Sequence, residues 1–315
     1  MVDPAYITAL IRESYTRIAP HVMDTRLLFD QASQSWLKCE HEQTTGSFKW
    51  RGALSKLSRL PKGASLVTAS TGNHGLAVAT AAKRFGLHAK IFLPGYASPG
   101  KIAKLKALGA DLVFVDGDSL SAELEAKAFA KTHQLIWVSP YNDEEVIAGQ
   151  GTIGLELTEN LEAIGRIYVT VGGGGLISGI ASWLKTNSPQ TEIIGCQPAF
   201  SPEMYLSVQS GKVVTAPDAQ PTLSDGSAGP LEEDSITFPI CAQLIDRFML
   251  ITESEIEEAI RYAWQNFQLT IEGAAGVALA AAMKDENRHL EKTSVVVLCG
   301  GNIDPELHRQ ITSGA

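Results

Sequence analysis

The residues with the most chemistry in them are a run of four glycines, Val171-Gly172-Gly173-Gly174-Gly175-Leu176, set between a Val/Ile-rich segment and an apolar helical one. Consecutive glycines let successive backbone N–H groups converge on one anion, and a helix opening behind them adds positive potential. A single phosphate fits such a cradle, as does a dinucleotide turn, or a tight turn with no ligand at all. No Walker-type lysine accompanies the run, which argues against nucleoside triphosphate hydrolysis. A second segment, Thr45-Gly46-Ser47-Phe48-Lys49-Trp50-Arg51-Gly52-Ala53, sets a lysine between two aromatic residues. Partial desolvation would lower its pKa and favour imine formation, although a lysine on a helix is ordinarily just solvated. The third, Ser70-Thr71-Gly72-Asn73-His74-Gly75, gathers hydroxyls, an amide and an imidazole into one turn. Such a turn receives a carboxylate at a helix N-terminus or serves only as a cap. The fourth, Leu298-Cys299-Gly300-Gly301-Asn302, reads by itself as a buried cysteine before a turn.

The elements around these segments alternate between short apolar runs and amphipathic or alanine-rich stretches. Strands are expected at Ser65–Ala69, Ala89–Pro94, Asp111–Val115, Leu135–Ser139, Ile167–Val171, Glu192–Gln197 and Ser294–Leu298. Helices are expected at Asn73–Arg84, Lys101–Leu108, Leu120–Thr132 and Leu176–Lys185, and at Ser254–Phe267 behind a Thr252/Glu255 capping box. Continuous Val/Ile/Leu runs between helices indicate parallel α/β sheets covered on both faces, with ligands beyond the strand C-termini. The four segments fall at such places. Residues 207–230 carry little periodicity and read as one long loop.

The chain has 315 residues, 44% hydrophobic and 19% charged, which excludes a disordered tail and a transmembrane bundle. Cys39, Cys196, Cys241 and Cys299 lie far apart without a CxxC pair, so they read as reduced thiols rather than a disulfide frame or zinc site. The net charge of −9 argues against nucleic acid or an acidic membrane surface as a partner. Asp3, Arg12 and Glu13 stand where a secretory leader would be apolar, and the expected location is cytoplasmic.

Together GSFKWRGA, STGNHG, GGGGLISG and CGGN, in this order and approximate spacing, resemble the threonine/serine dehydratase and serine racemase family, within the type II fold of pyridoxal-phosphate enzymes. The resemblance runs from about Leu28 to Pro305. It implies two open twisted α/β domains with mostly parallel sheets and the cofactor in the cleft between them. Residues 1–64 and 143–315 would form the larger, cofactor-binding domain, residues 65–142 a smaller mobile one, and the chain a homodimer. It implies pyridoxal 5'-phosphate on Lys49 as a Schiff base, with Phe48 against the ring and Asn73 on the phenolic oxygen. Gly172, Gly173, Gly174 and Gly175 would bind the phosphate. Ser70, Thr71 and His74 would hold the substrate carboxylate, with Gly226 and Glu272 near the ring.

Cys299 stands where the family faces the pyridine nitrogen with Ser or Cys. A neutral thiol does not keep that nitrogen protonated, so the ring is a weaker electron sink and early loss of a β-leaving group is favoured. The activity so implied is a dehydratase (ammonia-lyase) turning a β-hydroxy amino acid such as L-threonine or L-serine into a 2-oxo acid and ammonia, with Lys49 as base. Thr71 stands where the racemase branch carries serine, so racemisation by Lys49 and Thr71 on opposite faces is the alternative. Gln197 replaces a glutamate that racemase-like members offer to a divalent cation, Mg²⁺ or Ca²⁺; a neutral amide weakens such a site, and no metal ligands are assigned. His74 speaks against sulfhydrylase-type β-replacement. The absence of an acidic residue at the end of EIIGCQP speaks against a dinucleotide oxidoreductase. The side-chain pocket is expected from residues 200–205 and 207–230.

Overall fold

Val/Ile-rich runs flanked by helices condense, in a computed structural model described over residues 3–313 except 96, 98, 118 and 287–292, into two sheets. The strands in chain order are β1 (Leu27–Asp30), β2 (Ser35–Lys38), β3 (Ser65–Ala69), β4 (His88–Pro94), β5 (Asp111–Val115), β6 (Ile136–Trp137), β7 (Arg166–Thr170), β8 (Glu192–Pro198), β9 (Arg247–Ile251) and β10 (Ser294–Val297). The helices are α1 (Pro4–Ile18), α2 (Lys49–Leu57), α3 (Asn73–Phe85), α4 (Pro99–Ala107), α5 (Ser119–Thr132), α6 (Glu144–Asn160), α7 (Gly175–Asn187), α8 (Glu203–Ser210), α9 (Thr237–Leu244), α10 (Glu253–Phe267), α11 (Gly273–Lys284) and α12 (Pro305–Ser313).

The six-stranded sheet runs β1-β2-β10-β7-β8-β9 and the four-stranded sheet β5-β4-β3-β6. Every pairing is parallel except β1 with β2, which form an antiparallel hairpin. The strands β7, β8 and β10 are buried almost throughout, as parallel strands between helices must be. Their side chains join α6, α7 and α11 in the largest apolar core. Smaller cores cover the four-stranded sheet.

The anticipated strands and helices form with shifts of a residue or two, apart from Leu135–Ser139, which contracts to β6. The Val138 N–H still donates to the Val67 carbonyl at 2.9 Å, but Pro140 follows and turns the chain out of the sheet. Three strands were not anticipated: β1, β2 and β9. The first two are four residues each, too short to show a period, and their turn contains neither Gly nor Asn. Asp30 closes it instead, accepting from the Ala32 and Ser33 N–H groups, while Gln34 takes φ +48°. Within residues 207–230 the first four end α8, and Asp225–Ser227 makes a single 3₁₀ turn. All four cysteines are free and buried. Among the described residues no helix is long and apolar enough to cross a membrane.

A buried charge cluster braces the start of α2. Arg51, fully buried, donates to Glu40 (2.7 and 2.8 Å), to Glu156 on α6 (2.6 and 2.7 Å) and to Thr152 (3.1 Å). Lys38 on β2 adds a 2.8 Å ion pair to Glu156, and Thr25 donates to Glu40 at 2.6 Å. Two cations face two carboxylates with their hydrogen-bonding capacity taken up, which is the condition under which burying charge is tolerable.

Candidate active site

Apart from β1, the strand C-termini point one way in each sheet, and the turns beyond them carry the predicted residues. β3 runs into Ser70–Gly72 and α3, β7 into Val171–Gly174 and α7, and β10 into Leu298–Asn302. Lys49 opens α2 beside them. These turns enclose a cavity of about 620 Å³. Phe48, Lys49, Ser70, Thr71, Asn73, His74, Gly172, Gly173, Gly174, Gly175, Gly226, Glu272 and Cys299 all line it. Of the expected side-chain pocket, Asp225–Pro230 contributes to the wall, whereas residues 200–205 do not. Met204 is instead buried behind the glycine run, where its Cε would stand 2.8 Å from a Cβ on Gly174.

Lys49 donates from Nζ to the Pro140 carbonyl at 2.8 Å and lies 5.1 Å from the centre of the Phe48 ring. Burial lowers its pKa to about 8, against the opposing pull of Cys299, Glu272 and Glu123. A usable fraction of the amine is therefore uncharged near neutral pH. Cys299 is displaced the other way: burial, reinforced by Glu272, raises the thiol well above its ordinary value and keeps it neutral.

The glycine run is shaped by what surrounds it. A Cβ on Gly173 would overlap the Tyr141 ring, and Gly174 holds φ +83° against Met204 and Cys241. Thr237 Oγ1 donates to the Gly173 carbonyl at 2.6 Å, fixing the run with its N–H groups turned elsewhere. The N–H groups of Gly172, Gly173 and Gly174 find no acceptor among the described residues. Three orphaned donors ahead of the α7 N-terminus are what a phosphate monoester would satisfy, so a cofactor with a phosphate tail fits here.

The turn after β3 is braced from beneath. His74 Nε2 lies 2.9 Å from Thr68 Oγ1 and 3.2 Å from the Val138 carbonyl. Because Thr68 spends its hydroxyl hydrogen on that carbonyl (2.8 Å), Nε2 carries the imidazole proton. Burial, with Lys49 nearby, drops the His74 pKa to about 3, so the ring stays neutral. Asn73 donates from Nδ2 to both Glu272 oxygens (2.7 and 3.0 Å) and accepts from Asn302 Nδ2 at 2.6 Å. These bonds join the first turn of α3 to the far side of the cavity. Burial, aided by Asp225, raises Glu272 to about 7, with the Asn73 and Asn302 donors opposing. Gln197, where a cation ligand was in question, uses its Oε1 to accept the Tyr205 N–H at 2.7 Å.

The sequence matches the family described as pyridoxal-phosphate dependent enzyme over residues 18–300. The chain belongs to that family. It is 36% identical over 305 residues to an L-threonine ammonia-lyase of Geobacter sulfurreducens, covering 94% of this chain and 75% of that protein. It is 33% identical over 308 residues to a serine racemase of Oryza sativa subsp. indica, covering 93% and 90%. The processed form of threonine deaminase isoform 2 from Solanum lycopersicum has the same fold, with a TM-score of 0.92, 30% identity, and coverage of 99% of this chain and 89% of that one. Maize serine racemase matches with a TM-score of 0.89, 31% identity, and coverage of 96% and 95%. The enzyme's own geometry adds residues that the sequence alone does not single out. Tyr141 walls the glycine run, Asn302 ties the CGGN segment to Asn73 and to the Thr45 carbonyl (2.8 Å), and Glu123 enters the cavity from α5. Only Asn302 had a signal, as the last letter of CGGN; the other two arrive by long-range packing.

Proposed function

We propose that this enzyme is a pyridoxal-phosphate-dependent dehydratase that converts a β-hydroxy amino acid, with L-threonine and L-serine as defaults, to a 2-oxo acid and ammonia. The observation that carries this reading is a lysine with a lowered pKa sharing one cavity with a glycine cradle of unpartnered N–H groups. The threonine ammonia-lyase relatives support the same reaction. When bound, the cofactor supplies an electron sink that acidifies the α-C–H of the attached amino acid. Lys49 is the residue that would hold its aldehyde carbon and, once released, accept the α-proton. Gly172 to Gly175 would hold the phosphate. The hydroxyls of Ser70 and Thr71, with the N–H groups of their turn, would orient the substrate carboxylate, His74 bracing that turn as a neutral ring. The neutral Cys299 thiol would face the pyridine nitrogen without protonating it, which favours elimination.

In this reading residues 65–142 act as the smaller domain that closes on the substrate, and two chains form the working homodimer. A second reading, racemisation, draws on Thr71, whose side chain lines the cavity, and on the serine racemase relatives. The deciding experiment measures 2-oxo acid release and the chirality of residual amino acid from L-serine and L-threonine. Oxo acid with no D-product supports the dehydratase, and D-product without oxo acid overturns it. Loss of both oxo-acid release and borohydride labelling in Lys49→Ala is the matching result for the lysine.

A further inference from the structure

Glu123, on the second turn of α5, lines the cavity, and its Oε1 is buried and accepts no hydrogen bond among the described residues. A carboxylate oxygen dried in this way costs free energy until a donor reaches it. The residues around it do not supply one. Glu232 lies close enough to repel it and forms its ion pair with Lys127, one turn further along α5, whose charge reaches Glu123 without a hydrogen bond. Asp234, 3.8 Å from the same lysine, adds another negative charge. Lys49 is within electrostatic reach, but its amine is committed to the Pro140 carbonyl. Lys104, exposed on the cavity wall, forms no ion pair with a described residue. Glu123 Oε1 is thus left without a donor of its own, in the wall of the space where an amino acid would sit. Apolar neighbours Leu105, Leu120 and Phe92 share that wall and keep the charge poorly solvated.

Building on the dehydratase reading, we infer that Glu123 determines specificity by receiving an ammonium group on the substrate's side chain, so the preferred class is a β-hydroxy amino acid with a second amine. An ammonium group there would give Oε1 its missing donor. Consistently, burial and Glu232 raise this carboxyl to about 7, the behaviour of a group that takes a proton when no other cation is at hand.

The test titrates enzyme loaded with pyridoxal phosphate against L-2,4-diaminobutyrate and L-2-aminobutyrate, which differ by the side-chain amine and lack a β-leaving group, reading the change in cofactor absorbance. Wild type should bind the diamine at least about tenfold more tightly. That preference should fall to near parity, a loss of about tenfold or more, in Glu123→Gln. Glu232→Gln, which leaves Glu123 in place but removes its repelling neighbour, should shrink the preference less. Equal affinities in wild type, or a preference untouched by Glu123→Gln, overturn the assignment. If neither ligand perturbs the absorbance and borohydride fails to label Lys49, the dehydratase reading falls and this inference with it. If both bind alike, only the role of Glu123 falls.

Discussion

Lys49 shows how far burial alone can prepare a side chain. With a pKa near 8, roughly a quarter of the amine is uncharged at pH 7.5, against roughly one in a thousand for an ordinary lysine. Trinitrophenylation of Lys49 in the cofactor-free chain should therefore titrate with a midpoint near 8. A midpoint near 10 would mean that burial is not what activates it. At the cradle, Gly173→Ala places a methyl group in the Tyr141 ring. Overpacking of this kind costs about 1–3 kcal/mol, which as affinity is about 5- to 150-fold. A cofactor titration should show that weakening, and an unchanged dissociation constant would separate the run from phosphate binding. These residues were legible in the sequence because chemistry and local geometry coincide in them: four glycines before a helix and a lysine between rings need no distant partner to be noticed. Glu123 and Tyr141 were not legible, since nothing about either type or spacing is unusual until α5 and the segment after β6 fold against the turn following β7.

Among the elements, α2 is the one whose placement matters most to the lysine, and the cluster around Arg51 sets it. Arg51→Met would strand Glu40 and Glu156 as buried anions with only Lys38 to answer them. Removing one partner of a buried pair costs about 3–5 kcal/mol, visible as a lowered urea midpoint, and a loss under about 1 kcal/mol would mean water reaches the site. At α10 the structure contains the capping box read from Thr252 and Glu255, with Thr252 Oγ1 accepting the Glu255 N–H at 3.4 Å and Glu255 accepting the Thr252 N–H at 2.8 Å. Thr252→Ala should cost about 1 kcal/mol in the same measurement. Elements that announce themselves by caps or long apolar runs were readable. The β1–β2 hairpin was not, because Asp30 does the work usually done by a turn glycine, and β9 mixes Arg247 and Met249 into an edge strand.

For the molecule as a whole, the cavity is bounded by turns from both sheets, and Asn73, Glu272 and Asn302 already bridge them. A ligand held by the same turns adds its binding free energy to folding, about 2.7 kcal/mol at a hundredfold excess over the dissociation constant. Pyridoxal phosphate should raise the melting temperature of the cofactor-free chain by a few degrees, and by less in Gly173→Ala; no rise in wild type would place binding elsewhere. The parallel α/β architecture could be read from the alternation of runs, whereas the apposition of the two sheets rests on contacts far apart in sequence. The interior foursome of Lys38, Glu40, Arg51 and Glu156 carries one last implication. Its charges sum to zero, so any lone charge-altering substitution leaves an orphan ion, while a reciprocal exchange preserves neutrality. Charge-altering variation there is confined to paired steps, and a library that randomises one position at a time should recover only residues of the parent's charge.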